Sequence, residues 1–217
     1  MDKERLNIGE AAQYLDVSID TLRRWDASGK LRAGRSAGGH RFYFFSELKR
    51  FRADLDAMGE AWAGSDQPPH IAEEYYCERA DRFSARLNHL ASDLRAASAL
   101  ADNLISLVVA MVGEIGDNSF AHNLGSWPDA PGVYFAYDVG KRFIILADRG
   151  QGVLKTLQRV KPTLDNDHDA LVTAFTEFLS GRAPERRGNG LKFVREIAQM
   201  HGIGFRFQSG LAVVRIT

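Results

Sequence analysis

The sequence predicts an α+β chain, on three observations. Near the N-terminus two short runs place apolar residues at helical spacing on either side of a tight polar turn. An apolar stripe between Tyr76 and Met111 then advances by alternating steps of four and three, as a long helix would. In the second half, runs of β-forming residues flank short glycine-containing turns. Taken in order, these give a small first unit at 1–56, a linker at 57–72, a helical connector at 73–103 and a larger unit at 104–217. A chain of 217 residues has room for such a division, because each part can bury a core.

In the first unit, Ile8, Ala11, Ala12 and Leu15 line one helix, and Ile19, Leu22 and Trp25 line a second. Ser18 is placed to cap the second helix, Asp16 occupies the turn between them, and Gly29 ends the pair. Formal net charge over the whole chain is zero, yet residues 21–52 hold nine basic side chains against only Asp26 and Glu47. Asp20, Thr21, Arg23 and Arg24 put polar groups on the first turns of the second helix, and a glycine-rich tip at 34–44 follows between basic and aromatic flanks.

Together these residues resemble the winged helix-turn-helix of MerR-type and excisionase-type DNA-binding proteins, down to the Gly-His-Arg-x-Tyr run at 39–43. The resemblance implies that the partner is double-stranded DNA and that a homodimer reads an operator of two half-sites. Thr21 and Arg24 are then the expected base-edge readers. Arg35, His40 and Arg41 would grip phosphates or enter the minor groove, and Ser18 and Tyr43 complete the contact set. A helical hairpin with a solvated basic face is the alternative. A MerR-like change of promoter geometry and an excisionase-like bending of DNA both remain open.

Small and polar residues between Ala57 and His70 predict that periodic structure lapses there. The stripe beyond, including Phe83, Leu87, Leu90 and Leu94, suits either a helical dimer stalk or a helix packed on a sheet of its own chain. His89 lies on it, only 25 residues before Glu114, and is expected as a surface histidine rather than a phosphoacceptor.

Three runs follow in order: Glu114-x-x-x-Asn118-x-x-x-His122, Asp148-Arg149-Gly150-Gln151-Gly152 and Arg187-Gly188-Asn189-Gly190-Leu191. The first steps by four and so shares one face of a helix predicted at 104–124. An amide oxygen from Asn118 suits magnesium, and Glu114 can orient or deprotonate an attacking water or hydroxyl. The second run ends a hairpin predicted at 133–139 and 142–148, and the third opens a helix predicted at 191–201, an end suited to phosphate. A single helix is expected in the segment 153–187, at 169–179, and a last hairpin closes the chain.

These runs resemble the N box and two glycine boxes of the GHKL, histidine-kinase-like, ATP-binding fold, an α/β sandwich of the Bergerat type. The resemblance implies ATP and Mg2+ as cofactors, with Asn118 the metal ligand and Glu114 the catalytic carboxylate. Asp148 would accept the adenine amino group, Gly150 and Gly152 would pass close to the base, and His122 would lie near the phosphates. Arg186, Arg187, Gly188, Gly190 and Leu191 would close on the triphosphate. The strand that many relatives carry before their first helix is not evident.

The combined expectation is a transcription regulator whose DNA binding responds to Mg-ATP. The alternative is a protein kinase or ATPase of anti-sigma-kinase type, tethered to DNA and acting on a protein substrate. The single cysteine, Cys77, excludes an intramolecular disulfide framework. With no apolar leader and no long unbroken apolar run, a cytoplasmic protein without membrane attachment is expected.

Overall fold

The computed structural model describes residues 5–15, 17–97, 100–140, 142–177 and 190–217. It opens with β1 (Arg5–Asn7), a strand with no counterpart among the sequence expectations. In α1 (Ile8–Leu15) the Asn7 carboxamide oxygen accepts from the Gly9 and Glu10 amides, and the Glu10 carboxylate accepts from the Asn7 amide in return. This is a reciprocal cap that satisfies amides the helix itself cannot. α2 (Ile19–Ser28) is capped by Ser18, whose Oγ accepts from the Thr21 amide at 3.0 Å, and ends at Gly29 with φ +77°. β2 (Gly34–Arg35) and β3 (Arg41–Phe44) make the wing, and β1 pairs with the other edge of β3.

α3 (Phe45–Gly64) corrects the expected linker at 57–72, because the lapse of periodic structure begins at Ser65 rather than Ala57. Gly59 sits inside the helix for a steric reason. A Cβ there would lie 3.1 Å from both the Tyr134 ring and an Ile145 methyl, so glycine lets α3 press onto the sheet beyond.

β4 (Tyr76–Cys77) is a further strand without counterpart among the sequence expectations, and it holds Tyr76, which had been expected to start the stripe. α4 (Ala80–Ala97) and α5 (Asp102–Asn123) are separate helices, which corrects the expected stalk at 73–103. Leu87 packs on Gly113 and the Phe83 ring fills the space beside Gly116, so the two run antiparallel as a hairpin. Their stripe meets a sheet of the same chain: Phe83, Leu90, Leu94, Ile105 and Val112 share a core with Val133, Phe135 and Val139.

That sheet is completed by β5 (Val133–Asp138) and β6 (Phe143–Asp148), in the order β4-β5-β6 with antiparallel pairing from Val133↔Asp148 to Asp138↔Phe143. Strand alternation divides its side chains between two cores. Val133, Phe135, Ile144 and Leu146 face the α4–α5 hairpin, whereas Tyr134, Ala136, Ile145 and Ala147 join Leu48, Leu55 and Trp62 of α3 and Leu22 and Trp25 of α2. The layers are α3, sheet and helical hairpin, and one apolar cluster runs from the helix-turn-helix into the sheet.

α6 (Gly152–Gln158) is a second helix in the segment expected to hold one, and α7 (Asp167–Thr176) starts two residues early on an Asn166 cap. α8 (Gly190–His201) packs on α5, and β7 (Phe205–Ser209) and β8 (Ala212–Ile216) form the closing hairpin. α5 is long and apolar enough to cross a bilayer by length and composition. Part of its apolar surface is shared between two cores, Ile105 and Val112 toward α4 and the sheet, Met111 toward Val194, Ile197 and Ala198 of α8.

Candidate functional site

On α2, Leu22 and Trp25 point inward, while Asp20, Arg23 and Arg24 stay exposed and Thr21 is half-buried. Arg24, 72% exposed, donates to Thr21 Oγ1 at 3.2 Å, so the two expected base readers lie side by side on one face. Ser18 Oγ is engaged with the Thr21 amide and hydroxyl and caps α2, and the residue stays exposed. Arg23 pairs with Asp20 at 2.9 Å in the open, an arrangement worth little in water.

The wing is tied to α2 by Asp26. Its Oδ2 accepts from Arg35 Nη2 and from Arg41 Nε, each at 2.7 Å, and its Oδ1 accepts from the Ala33 amide at 2.9 Å. The Ala33 amide, then Arg35 and Arg41, hold the Asp26 carboxyl far below its ordinary value of 3.8. Arg35 and Arg41 are thus aimed by the acid that sequence reading counted only as opposing charge. His40 stands exposed at the tip, where Gly39 has φ +78°. Tyr43 corrects the DNA-contact list: it is 0% exposed, with its hydroxyl toward the Leu22 carbonyl at 3.4 Å. Alternation along β3 turns it into the core.

A second anchor holds α2 from the other side. Trp25 Nε1 donates to Glu74 Oε1 at 2.8 Å, and Lys30 Nζ lies 3.5 Å from the same oxygen and over the Trp25 ring. Glu74 lies in the turn two residues before β4, a role the sequence pattern did not signal.

α5 carries the first of the three downstream runs and meets the second, and of the third only Gly190 and Leu191 are among the described residues. Ser119 Oγ donates to Asp148 Oδ2 at 2.5 Å, and the Gly150 amide donates to Asp148 Oδ1 at 2.7 Å. Asn123, buried one turn on, accepts from the Gln151 amide at 2.9 Å, and its carboxamide occupies the space a side chain on Gly150 would need. Gln151 Nε2 donates to the His122 carbonyl at 2.7 Å. Gly152 has φ +79° and opens α6, whose Val153 amide donates to Ser209 Oγ at 2.9 Å.

One turn back along α5, Glu114 and Asn118 face the first turn of α8. A Cβ on Gly190 would stand 2.6 Å from Glu114 Oε2 and 3.3 Å from Asn118 Nδ2, so the absent side chain lets the α8 amides approach both. Glu114 is exposed, Asn118 and Leu191 are half-buried, and His122 sits further along α5 near the Gly150 loop. Arg186, Arg187 and Gly188 lie outside the described residues. Among the described residues no three His, Cys, Asp or Glu side chains cluster for a metal. A magnesium ion on ATP needs few protein ligands, and the Asn118 amide is a suitable oxygen donor.

Ser119, Asn123 and Gln151 belong to this arrangement and were not singled out in advance. A signal existed for the first two: Ser119 and Asn123 step by four beside Asn118, on the flank that faces the sheet.

Residues 7–43 match the family described as MerR family regulatory protein. The chain is also similar to the Type II methyltransferase M.Eco47II of Escherichia coli, at 46% identity over 63 residues, which is 29% of this chain and 15% of that protein. It therefore spans a small part of that relative's length. No solved structure matches the chain significantly. The N-terminal region is a MerR-type helix-turn-helix, a DNA-binding element that points to a regulator, set in a chain of mixed α/β structure.

Proposed function

We propose that this protein is a transcription regulator whose sequence-specific DNA binding responds to Mg-ATP. Support for the DNA half is the match at 7–43 together with the exposed Arg24 beside Thr21 and the wing held by Asp26. Support for the nucleotide half is that α5, which carries the first run, meets the Asp148–Gly152 loop on one flank and Gly190 of the third run on another, and this observation carries the reading.

In this reading Asp148, positioned by Ser119 and the Gly150 amide, keeps lone pairs for an adenine amino group. Asn118 would hold magnesium, and the α8 N-terminus beside Gly190 would receive phosphate. Bound ATP supplies an anionic triphosphate whose presence or loss differs between states. Such a switch requires unequal DNA affinity in those states. A homodimer in the cytoplasm reading two half-sites fits a helix-turn-helix of this type.

A second reading is favoured by Glu114, an exposed carboxylate one turn from Asn118. It could act as general base in a DNA-tethered ATPase or protein kinase.

The test is DNA binding titrated with ATP, ADP and a non-hydrolysable analogue, each with magnesium. A nucleotide-dependent change in DNA affinity supports the regulator. ATP turnover with unchanged DNA affinity supports the enzyme, and no ATP binding rejects both nucleotide readings.

A further inference from the structure

We propose that Arg149 is the positioning residue through which the nucleotide site is coupled to the DNA-reading helix, an inference that rests on the nucleotide reading above. Arg149 lies between Asp148 and Gly150, so its backbone belongs to the loop that would meet the base. Its side chain leaves that loop altogether. The guanidinium donates to the Trp62 carbonyl and, at 2.7 Å, to the Ser65 carbonyl, while Nε and Nη2 donate to Asp129 Oδ2 at 2.8 and 2.5 Å.

Trp62 and Ser65 belong to the last turn and cap of α3, where carbonyls have no partner within the helix. A cation is favourable there, and this one is 8% exposed and lies 5.8 Å from the Trp62 ring centroid. A planar fork with several donors can serve two helix carbonyls and a carboxylate together, which a lysine ammonium on a flexible stem cannot reproduce. The far part of α3 reaches the DNA module. Phe51 packs on Trp25 of the reading helix with ring centroids 5.0 Å apart, and Leu48 and Leu55 lie in the same core. α3 thus has the loop of Asp148 at one end and the helix that carries Thr21 and Arg24 at the other. A movement of Asp148 toward a ligand would displace the adjoining Arg149 backbone and so be felt at the contacts of its side chain with α3.

The experiment uses the full chain and a duplex enriched by the wild-type protein from a random-sequence pool. DNA affinity is measured with and without Mg-ATP, and ATP affinity with and without the duplex. In the wild type the two ratios must be equal and of at least about fivefold. In Arg149→Lys, binding of each ligand alone is retained within about threefold while both ratios fall to about one. A merely structural Arg149 would lower stability and leave the ratios intact, and an unchanged ratio in folded Arg149→Lys overturns the inference. Should that variant not fold, hydrogen exchange on the wild type decides. Mg-ATP must alter amide protection at 61–65 as well as at 148–152, and a change confined to 148–152 overturns it. Wild-type protein that binds ATP with ratios of one removes the coupling and leaves the ATP site standing; failure to bind ATP removes the site itself.

Discussion

The Ser119 hydroxyl donates to Asp148 Oδ2 across 2.5 Å, fastening the C-terminal part of α5 to the end of β6. A hydrogen bond to a carboxylate contributes about 1.5–3 kcal/mol. Ser119→Ala is expected to weaken Mg-ATP binding about tenfold by freeing Asp148 to reorient, as read by calorimetry. Lowered stability with undiminished ATP affinity would leave the pair a structural tie only.

Asn118→Ala separates metal from base. Loss of the proposed magnesium ligand should weaken Mg-ATP binding at least about tenfold while changing binding of metal-free ATP far less. Equal losses under both conditions would place Asn118 on the nucleotide rather than on the ion.

Asp26 makes a pH prediction. Its folded carboxyl is held below the ordinary 3.8, so its stabilising contribution is complete above about pH 5 and is lost as pH falls below 4 toward the folded value. Asp26→Asn should lower stability by about 2 kcal/mol at neutral pH. The gap between variant and wild-type urea midpoints should narrow below pH 4, and a gap independent of pH would assign the loss to shape alone. DNA affinity should fall as well, because Arg35 and Arg41 lose their common anchor.

Tyr43 and Arg24 make opposite predictions on DNA. Tyr43→Phe should leave DNA affinity within about twofold and cost at most about 1 kcal/mol of stability, since the hydroxyl is buried. Arg24→Ala should cost about 1–3 kcal/mol on the preferred sequence and little on unrelated duplexes. A uniform loss across sequences would make Arg24 a phosphate contact.

Gly150→Ala introduces a methyl where the Asn123 carboxamide sits. It should displace the Gln151 amide from Asn123 and reduce ATP affinity, with a stability loss of about 1–3 kcal/mol from the forced repacking. Wild-type ATP binding in this variant would show that the loop is not part of the site.

The local elements were legible where chemistry is local. Ser18 and Gly29 bound α2, and the four-residue step of Glu114, Asn118 and His122 placed them on one helix, because caps and periodicity act within a few residues. What was not legible depended on partners distant in sequence. Gly59 looked like a linker residue until Tyr134 and Ile145 supplied the surface it lies against. The stripe from Phe83 to Met111 has a spacing that a dimer seam and a core hairpin share, and the sheet it packs on distinguishes them. Tyr43 sat inside a matching run, but strand alternation directs it inward.

Because α3 continues to Gly64 and shares its apolar side with β5 and β6, the helix-turn-helix is not a detachable cassette ending at residue 56. A cut there would divide a helix and bare the faces of Tyr134 and Ile145 to water. Transplanting this DNA-reading unit onto another protein therefore demands a recipient with a groove shaped for α3, and grafting the residues up to Gly64 without one should yield an aggregating fragment.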